Sequence, residues 1–285
     1  MILVTGATGT VGRELVRELA GRGVAVRALV RSPERAAALH GLDVELAWGS
    51  LEDARSVAAA LDGVETAFLL TGVPENQLEL QNGFVDAAIG AGVAHLVKLG
   101  VMHPALDHPV GFFRWHRETE LRIERSGLGW AHVRPNNFFQ NLLFQAEGIR
   151  RDGVFRSCFG QGRVSSVDAR DVAAVSAAVL RDPSRWHGRA LDVTGPAAPT
   201  HDEMLAALSH ALGRDVRYVD LAPEEFEAAT LAGGAPAFFA RDLTLLARSL
   251  AAGAASEVTD VVAETTGRPA RSIDDFARDY ADSFR

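Results

Sequence analysis

"VTGATGTVGRELVREL", residues 4–19, decides how the rest of the chain is read. An apolar run ends at a glycine-rich turn, and a stretch with helical spacing follows it. Gly6, Gly9 and Gly12 repeat as G-x-x-G-x-x-G, one residue longer in the first gap than the G-x-G-x-x-G fingerprint. Glycine lets a backbone turn tightly and approach a pyrophosphate closely. A helix N-terminus there adds free N–H groups and a partial positive charge. The loop Gly6, Ala7, Thr8, Gly9, Thr10 and Val11 is therefore the expected dinucleotide cradle. A glycine turn without a ligand would explain the residues but not their place between strand and helix.

Strand and helix patterns alternate onward from this loop. Residues 24–30 alternate as a strand, and Ser32-Pro33 opens a helix with serine as N-cap and proline at the first helical position. Residues 44–48, 66–70, 95–99 and 130–133 read as further buried strands, separated by helices over 53–61, 78–91 and 114–126. This rhythm predicts an α/β fold, a doubly wound parallel sheet of the Rossmann type. It breaks after residue 135. Residues 138–159 are aromatic and irregular, 168–180 read as an Ala/Val-rich helix, and 191–193 as a short strand. Thr200 to Glu203 is a capping box that starts a helix over 204–212, and the remainder looks mostly helical. The expected organisation is a dinucleotide-binding core, 1–135, and a smaller, mainly helical substrate region, 136–285. That region packs on the core and is partly intertwined with it.

The second strand addresses which dinucleotide. NAD-binding chains end it with Asp or Glu to hold the ribose hydroxyls. Here it ends Leu29-Val30-Arg31-Ser32, with no acid. Arg31 can pair with a 2′-phosphate and Ser32 can donate to it, which points to NADP(H).

Composition excludes several classes. The chain has 285 residues, 47% of them hydrophobic and 23% charged, enough for a proper core and unlike a disordered chain. Net charge is −8 with no basic block, which argues against nucleic acid or an anionic membrane as partner. The single cysteine, Cys158, allows no internal disulfide. With the short apolar start, it leads to the expectation of a cytoplasmic protein, as monomer or homodimer, acting on a small molecule. His95, His103, His108 and His116 fall close together, but their spacing matches no metal site, and no metal is expected. Of 29 basic residues only Lys98 is lysine.

The segments "ILVTGATGTVG", "VRALVRSPE", "HLVKLGV", "WHRETELRIERSGLGWAHVRPNNFFQN", "VDARDVAAVSAAVL", "LDVTGP" and "TGRPARSIDDFA", in this order, resemble the NmrA-like group of atypical short-chain dehydrogenases/reductases. That group includes triphenylmethane reductase-like and quinone oxidoreductase-like enzymes. The resemblance implies NADP(H) at Gly6 to Val11 and at Arg31, with contacts near Ser50, Thr71, Gly72, Lys98 and Asn136. Many members read Gly-Asp-Leu where this chain has Gly49-Ser50-Leu51, and Lys-x-Ser where it has Lys98-Leu99-Gly100. Lys98, at the carboxyl edge of the fifth strand, is a candidate catalytic residue acting electrostatically, or else a solvated strand end.

Related reductases carry Tyr-x-x-x-Lys on the helix before "SGL". Here Phe112 falls at the tyrosine and His116 at the lysine. Phenylalanine cannot donate a proton, and a ketone taking hydride becomes a basic alkoxide that needs a placed acid. The site therefore suits quinones, iminium ions or similar conjugated acceptors. His116 is the second candidate catalytic residue, as a proton relay, or else a helix histidine bonded to Glu120 one turn on. Phe112, Trp115, Phe138 and Phe139 are the expected substrate lining, suited to a flat, apolar molecule. The leading expectation is an NADPH-dependent oxidoreductase. The rival is an NADP(H)-binding redox sensor without turnover, for which loss of Tyr-x-x-x-Lys would also be natural.

Overall fold

The computed structural model describes all 285 residues. The first part of the chain alternates as β1 (Ile2–Val4), α1 (Thr10–Ala20), β2 (Val26–Val30), α2 (Pro33–Ala36), β3 (Glu45–Trp48), α3 (Ala54–Leu61), β4 (Thr66–Leu69), α4 (Gln77–Gly90), β5 (His95–Leu99), α5 (Gly111–Glu124) and β6 (Gly129–Pro135). A 3-10 segment (Phe139–Gln145) then leads into α6 (Ala146–Asp152), β7 (Val154–Ser157), α7 (Ala169–Arg181), α8 (Pro183–Trp186) and β8 (Arg189–Val193). The chain continues through α9 (His201–Leu212), β9 (Arg217–Asp220), α10 (Pro223–Ala232), α11 (Ala237–Ala251), α12 (Val261–Thr266) and α13 (Ile273–Asp279). Seven strands form one parallel sheet in the order β3-β2-β1-β4-β5-β6-β8, and β7 pairs with β9 in a separate parallel ribbon. The order reverses direction between β1 and β4, which opens a crevice at the carboxyl ends of the strands, next to the glycine loop.

Alternation along the strands sorts side chains between two helical layers. Val4, Ala28, Val30, Phe68, Val97 and Leu99 face α1 and α7, where they meet Leu15, Leu19, Val172 and Val175. Leu3, Leu29, Ala67, Leu69 and Leu96 face α3, α4 and α5, where they meet Leu61, Phe84, Val85 and Ile123. Each fully buried Leu, Val or Phe side chain contributes about 1.5–3 kcal/mol. One expected buried strand departs from this pattern. β3 is an edge strand, covered on one side only, and Trp48 is 54% exposed.

The two regions interlock. β8 completes the main sheet beside β6, and α7 packs on α1, although both lie beyond residue 135. What remains of the second region has a core of its own, with Phe139, Leu142, Ile149, Phe155, Met204, Leu208, Phe276 and Phe284. Ion pairs lock its C-terminal end to α7. Asp168 caps α7 and binds Arg170, which also reaches Asp279 at 2.7 Å, and buried Asp171 accepts the backbone N–H of Arg271 at 2.6 Å. The capping box is present as Thr200 and Glu203 at the start of α9.

Gly12 is a packing requirement of this fold. A Cβ there would stand 2.1 Å from the carbonyl oxygen of Gly6, so α1 can approach the loop only without one. Gly12→Ala should lose about 1–3 kcal/mol, the usual cost of overpacking, read as a lower urea midpoint. An unchanged midpoint would mean that the helix can draw back freely.

Candidate active site

The glycine loop fits a pyrophosphate. Gly6 has φ +59°, and a Cβ on it would meet Leu70 at 2.8 Å. Gly9 occupies the N-cap of α1 without a side-chain cap, so the first-turn N–H groups stay open to a ligand's oxygens. Ala7 and Val11 are buried beneath the loop, while Thr8, Gly9 and Thr10 lie toward its surface. The cradle rests on the sheet through Thr5, whose hydroxyl donates to the carbonyl of Leu70 at 2.9 Å and accepts the Leu70 N–H at 2.8 Å.

Arg31 is exposed just past the end of β2 and forms no ion pair or side-chain hydrogen bond, so its guanidinium is free for a phosphate. Ser32 follows it, half-buried, and its hydroxyl lies close enough to the exposed Glu34 carboxylate to hold that acid below its ordinary range. Ser50 lies beyond β3, where its backbone N–H donates to Ser56 Oγ at 3.1 Å. Thr71 accepts from Gln81 at 2.7 Å, and Gly72 is exposed beside it. Asn136 is fully committed to the protein. It donates to Ser165 and to the Ala255 carbonyl, and accepts the N–H of Asn137.

Lys98 and His116 are brought together, and for each of them the plainer of the two alternatives left by the sequence fails. Lys98 is no solvated strand end, for it is 0% exposed. Its Nζ donates to the Leu99 carbonyl at 3.2 Å and lies 2.6 Å from His116 Nδ1. Nor does His116 bond Glu120. Its Nε2 faces the Gln77 amide at 3.1 Å, and Glu120 belongs to Arg134 instead. Both ring nitrogens are thus taken by the protein. Burial, reinforced by the charge on Lys98, holds His116 neutral, far below the usual histidine range. Burial also pushes the Lys98 ammonium down to about 8, against the pull of Glu120. With Lys98 donating to Nδ1, the neutral ring carries its proton on Nε2. The Gln77 amide then presents its oxygen there, and that oxygen otherwise has no partner.

The expected aromatic lining divides. Phe112 and Trp115 meet Phe239 and Phe238 from the first turn of α11, at 6.5 and 6.0 Å between ring centroids. Phe139 belongs elsewhere. It is 2% exposed and packs on Phe276 in the C-terminal core, because the 3-10 segment turns it inward. Phe138 is half-buried, leaning on the α1/α7 layer. Reading the sequence missed Phe238 and Phe239, although "FF" at a helix start after Pro236 was a usable signal. It also missed Asp242. That carboxylate is 2% exposed and accepts the N–H of Gly111 at 2.7 Å, so α11 caps α5 from outside. A partner so remote in sequence leaves no local trace.

Glu120, Glu124 and His132 hold possible metal-ligand atoms within 4.8 Å of one another. Two arginines already claim the carboxylates. Arg134 grips Glu120 through both oxygens, and Arg117 bridges Glu120 and Glu124 at 3.3 and 2.7 Å. A dication would face two guanidiniums and Lys98, so the chemistry here is that of an ion-pair network.

Comparison with known proteins agrees with this architecture. The NmrA-like family model matches residues 1–261. The NAD(P)H azoreductase of Xenophilus azovorans is 39% identical over 284 residues, covering 100% of this chain and 99% of that protein. The (4-alkanoyl-5-oxo-2,5-dihydrofuran-3-yl)methyl phosphate reductase of Streptomyces griseus is 41% identical over 287 residues, with coverage of 100% and 99%. Among solved structures, the quinone oxidoreductase of Escherichia coli complexed with NADPH superposes with a TM-score of 0.86 at 26% identity, over 97% of this chain and 98% of that one. With a cradle shaped for a dinucleotide and relatives matched from end to end, this chain belongs to the NmrA-like family and is an NAD(P)H-dependent oxidoreductase with NADP(H) as its cofactor.

Proposed function

We propose that this reductase transfers hydride from NADPH to a conjugated, electrophilic small molecule, of the quinone, iminium or azo kind, whose reduced form needs no protein acid to stabilise it. One observation carries this reading. Helix α5 offers no free proton donor at the two positions where such donors stand in related reductases. Phe112 packs against Phe113 and Phe239, and both nitrogens of His116 are engaged. A simple ketone would leave a strongly basic alkoxide there. A quinone yields a delocalised phenolate, an iminium ion becomes neutral, and an azo group spreads charge into its rings. The names of the relatives point the same way, since an azo compound, an unsaturated lactone and a quinone share a conjugated acceptor. The aromatic faces of Trp115, Phe238 and Phe239 suit a flat molecule.

NADPH bound at the loop supplies the hydride. The protein's own part is to hold the pyrophosphate at Gly6 to Val11, to fix the 2′-phosphate with Arg31, and to place the acceptor against α5 and α11. Lys98 adds a buried positive charge near the sheet edge where the nicotinamide belongs in this fold.

NADPH oxidation measured against a panel of a quinone, an azo dye, an unsaturated lactone and an unactivated ketone tests this reading. The conjugated acceptors should exceed the ketone by about 10²-fold or more, the usual contribution of a placed acid. The rate should also run flat through the ordinary histidine range, because His116 stays neutral across it. Comparable turnover of the ketone would overturn the proposal.

Arg31→Ala should weaken NADPH binding about ten- to a hundredfold, the value of about 1.5–3 kcal/mol for a charge-assisted bond, and leave NADH binding unchanged. Calorimetric titration of both nucleotides reads this directly. Equal affinity of the wild type for the two would remove Arg31 from the phosphate site.

A further inference from the structure

The α4/α5 side of the sheet carries a buried polar seam that hydride transfer, as described so far, does not require. Lys98 of β5 points into it beside His132 of β6, and both are 0% exposed. Around Lys98, α5 contributes His116, Glu120 and, one turn further, Glu124 with Arg117. β6 contributes Arg134 and His132, and α4 contributes only the uncharged Gln77 and Gln81. Leu69, the neighbour from β4, adds no charge. His132 is held neutral, down to about 3, first by burial and then by Lys98 and Arg134.

A lone ammonium at this depth would shed its proton. Glu120 is the one fully buried carboxylate of the group, and its position depends on a glycine. A Cβ on Gly100 would stand 2.9 Å from Glu120 Oε1 and 3.5 Å from the Arg134 side chain. Gly100 is also the place where the resembling family often has serine. Here that position carries no side chain, and the Glu120 carboxylate, gripped by Arg134 at 3.1 and 2.7 Å, stands in the space. Burial is the largest influence on Lys98, Glu120 is the carboxylate that opposes it, and Arg134 fixes that carboxylate while working against it electrostatically.

We propose that Glu120, given room by Gly100, is a positioning residue that keeps Lys98 charged beneath the hydride-transfer site. The charged lysine then favours acceptors that become anionic on reduction. This second step rests on the reductase reading above, whereas the effect of Glu120 on Lys98 does not. Burial alone draws the ammonium toward neutrality, the Glu120 carboxylate raises its proton affinity, and Arg134 lowers it. Lys98 is charged below about 8 and neutral above it. An electrostatic contribution from it is therefore present at neutral pH and lost as pH rises through that midpoint.

The sequence allows a direct measurement, because Lys98 is the only lysine in the chain. Protein grown with ¹³Cε-lysine gives one ε-carbon signal, whose shift reports the protonation of this amine. In wild type the signal should titrate near 8. In Glu120→Gln the midpoint should fall by about one pH unit or more, the scale of a nearby opposite charge. Gly100→Ala, which keeps the carboxylate but crowds it, should move the midpoint the same way by less. Circular dichroism confirms that each variant is folded. A signal that titrates alike in wild type and both variants would overturn the proposal. With a quinone as acceptor, the alkaline limb of kcat should move with the lysine signal. A limb that stays in place while the signal moves would overturn the catalytic half. If no conjugated acceptor is turned over at all, the function proposed above fails, and the titration still decides the role of Glu120.

Discussion

The tightest constraint in this protein is the contact between the start of α1 and the Gly6 carbonyl, which leaves no room for even a methyl group at Gly12. That closeness puts the helix N-terminus directly at the end of β1. It aligns the unpaired N–H groups with the crevice where the strand order reverses, and it sets the depth of the dinucleotide cradle. α7 then packs on α1, and the C-terminal segment is tied to α7 through Asp168, Asp171 and their arginines. The position of the far end of the chain is thus referred back to one backbone contact in its first dozen residues.

The two faces of the sheet are built on different principles. Toward α1 and α7 the interior is aliphatic, with Val, Leu and Ala in continuous contact. Toward α4 and α5 an aliphatic patch around Phe84 and Ile123 gives way, near the carboxyl edge, to lysine, histidines, carboxylates and glutamines. Charges buried this way are held by partners and rarely add stability over apolar packing. Other polar atoms on this side, including the Gln81 oxygen and the Thr119 hydroxyl, have no protein partner at all. Such a seam is costly to fold.

Much of the architecture was legible because it follows local rules. The period of the apolar residues marked the parallel strands and their helices, and the capping box at Thr200 marked α9. β3 was misjudged as buried because apolar content says nothing about position in the sheet, and an edge strand is covered on one side only. The shape of the glycine loop was legible for the same reason as the fold, since its requirements concern one continuous segment. The rest of the site was not. The partner of His116 depends on β5 and α4 meeting α5, the cap on α5 comes from Asp242, and the place of Phe139 depends on a 3-10 turn that has no periodic signature. Residue identity nominated the participants, and only the tertiary contacts decided which pairs form.

The burial of Lys98 has a practical consequence. With every other basic side chain an arginine or histidine, the folded chain presents no lysine ε-amine to solvent. Amine-directed reagents should therefore leave its side chains unmarked while it stays folded. A lysine mark can appear only when β5 and α5 come apart. The interior lysine thus serves as a built-in recorder of how often this enzyme opens at its own centre.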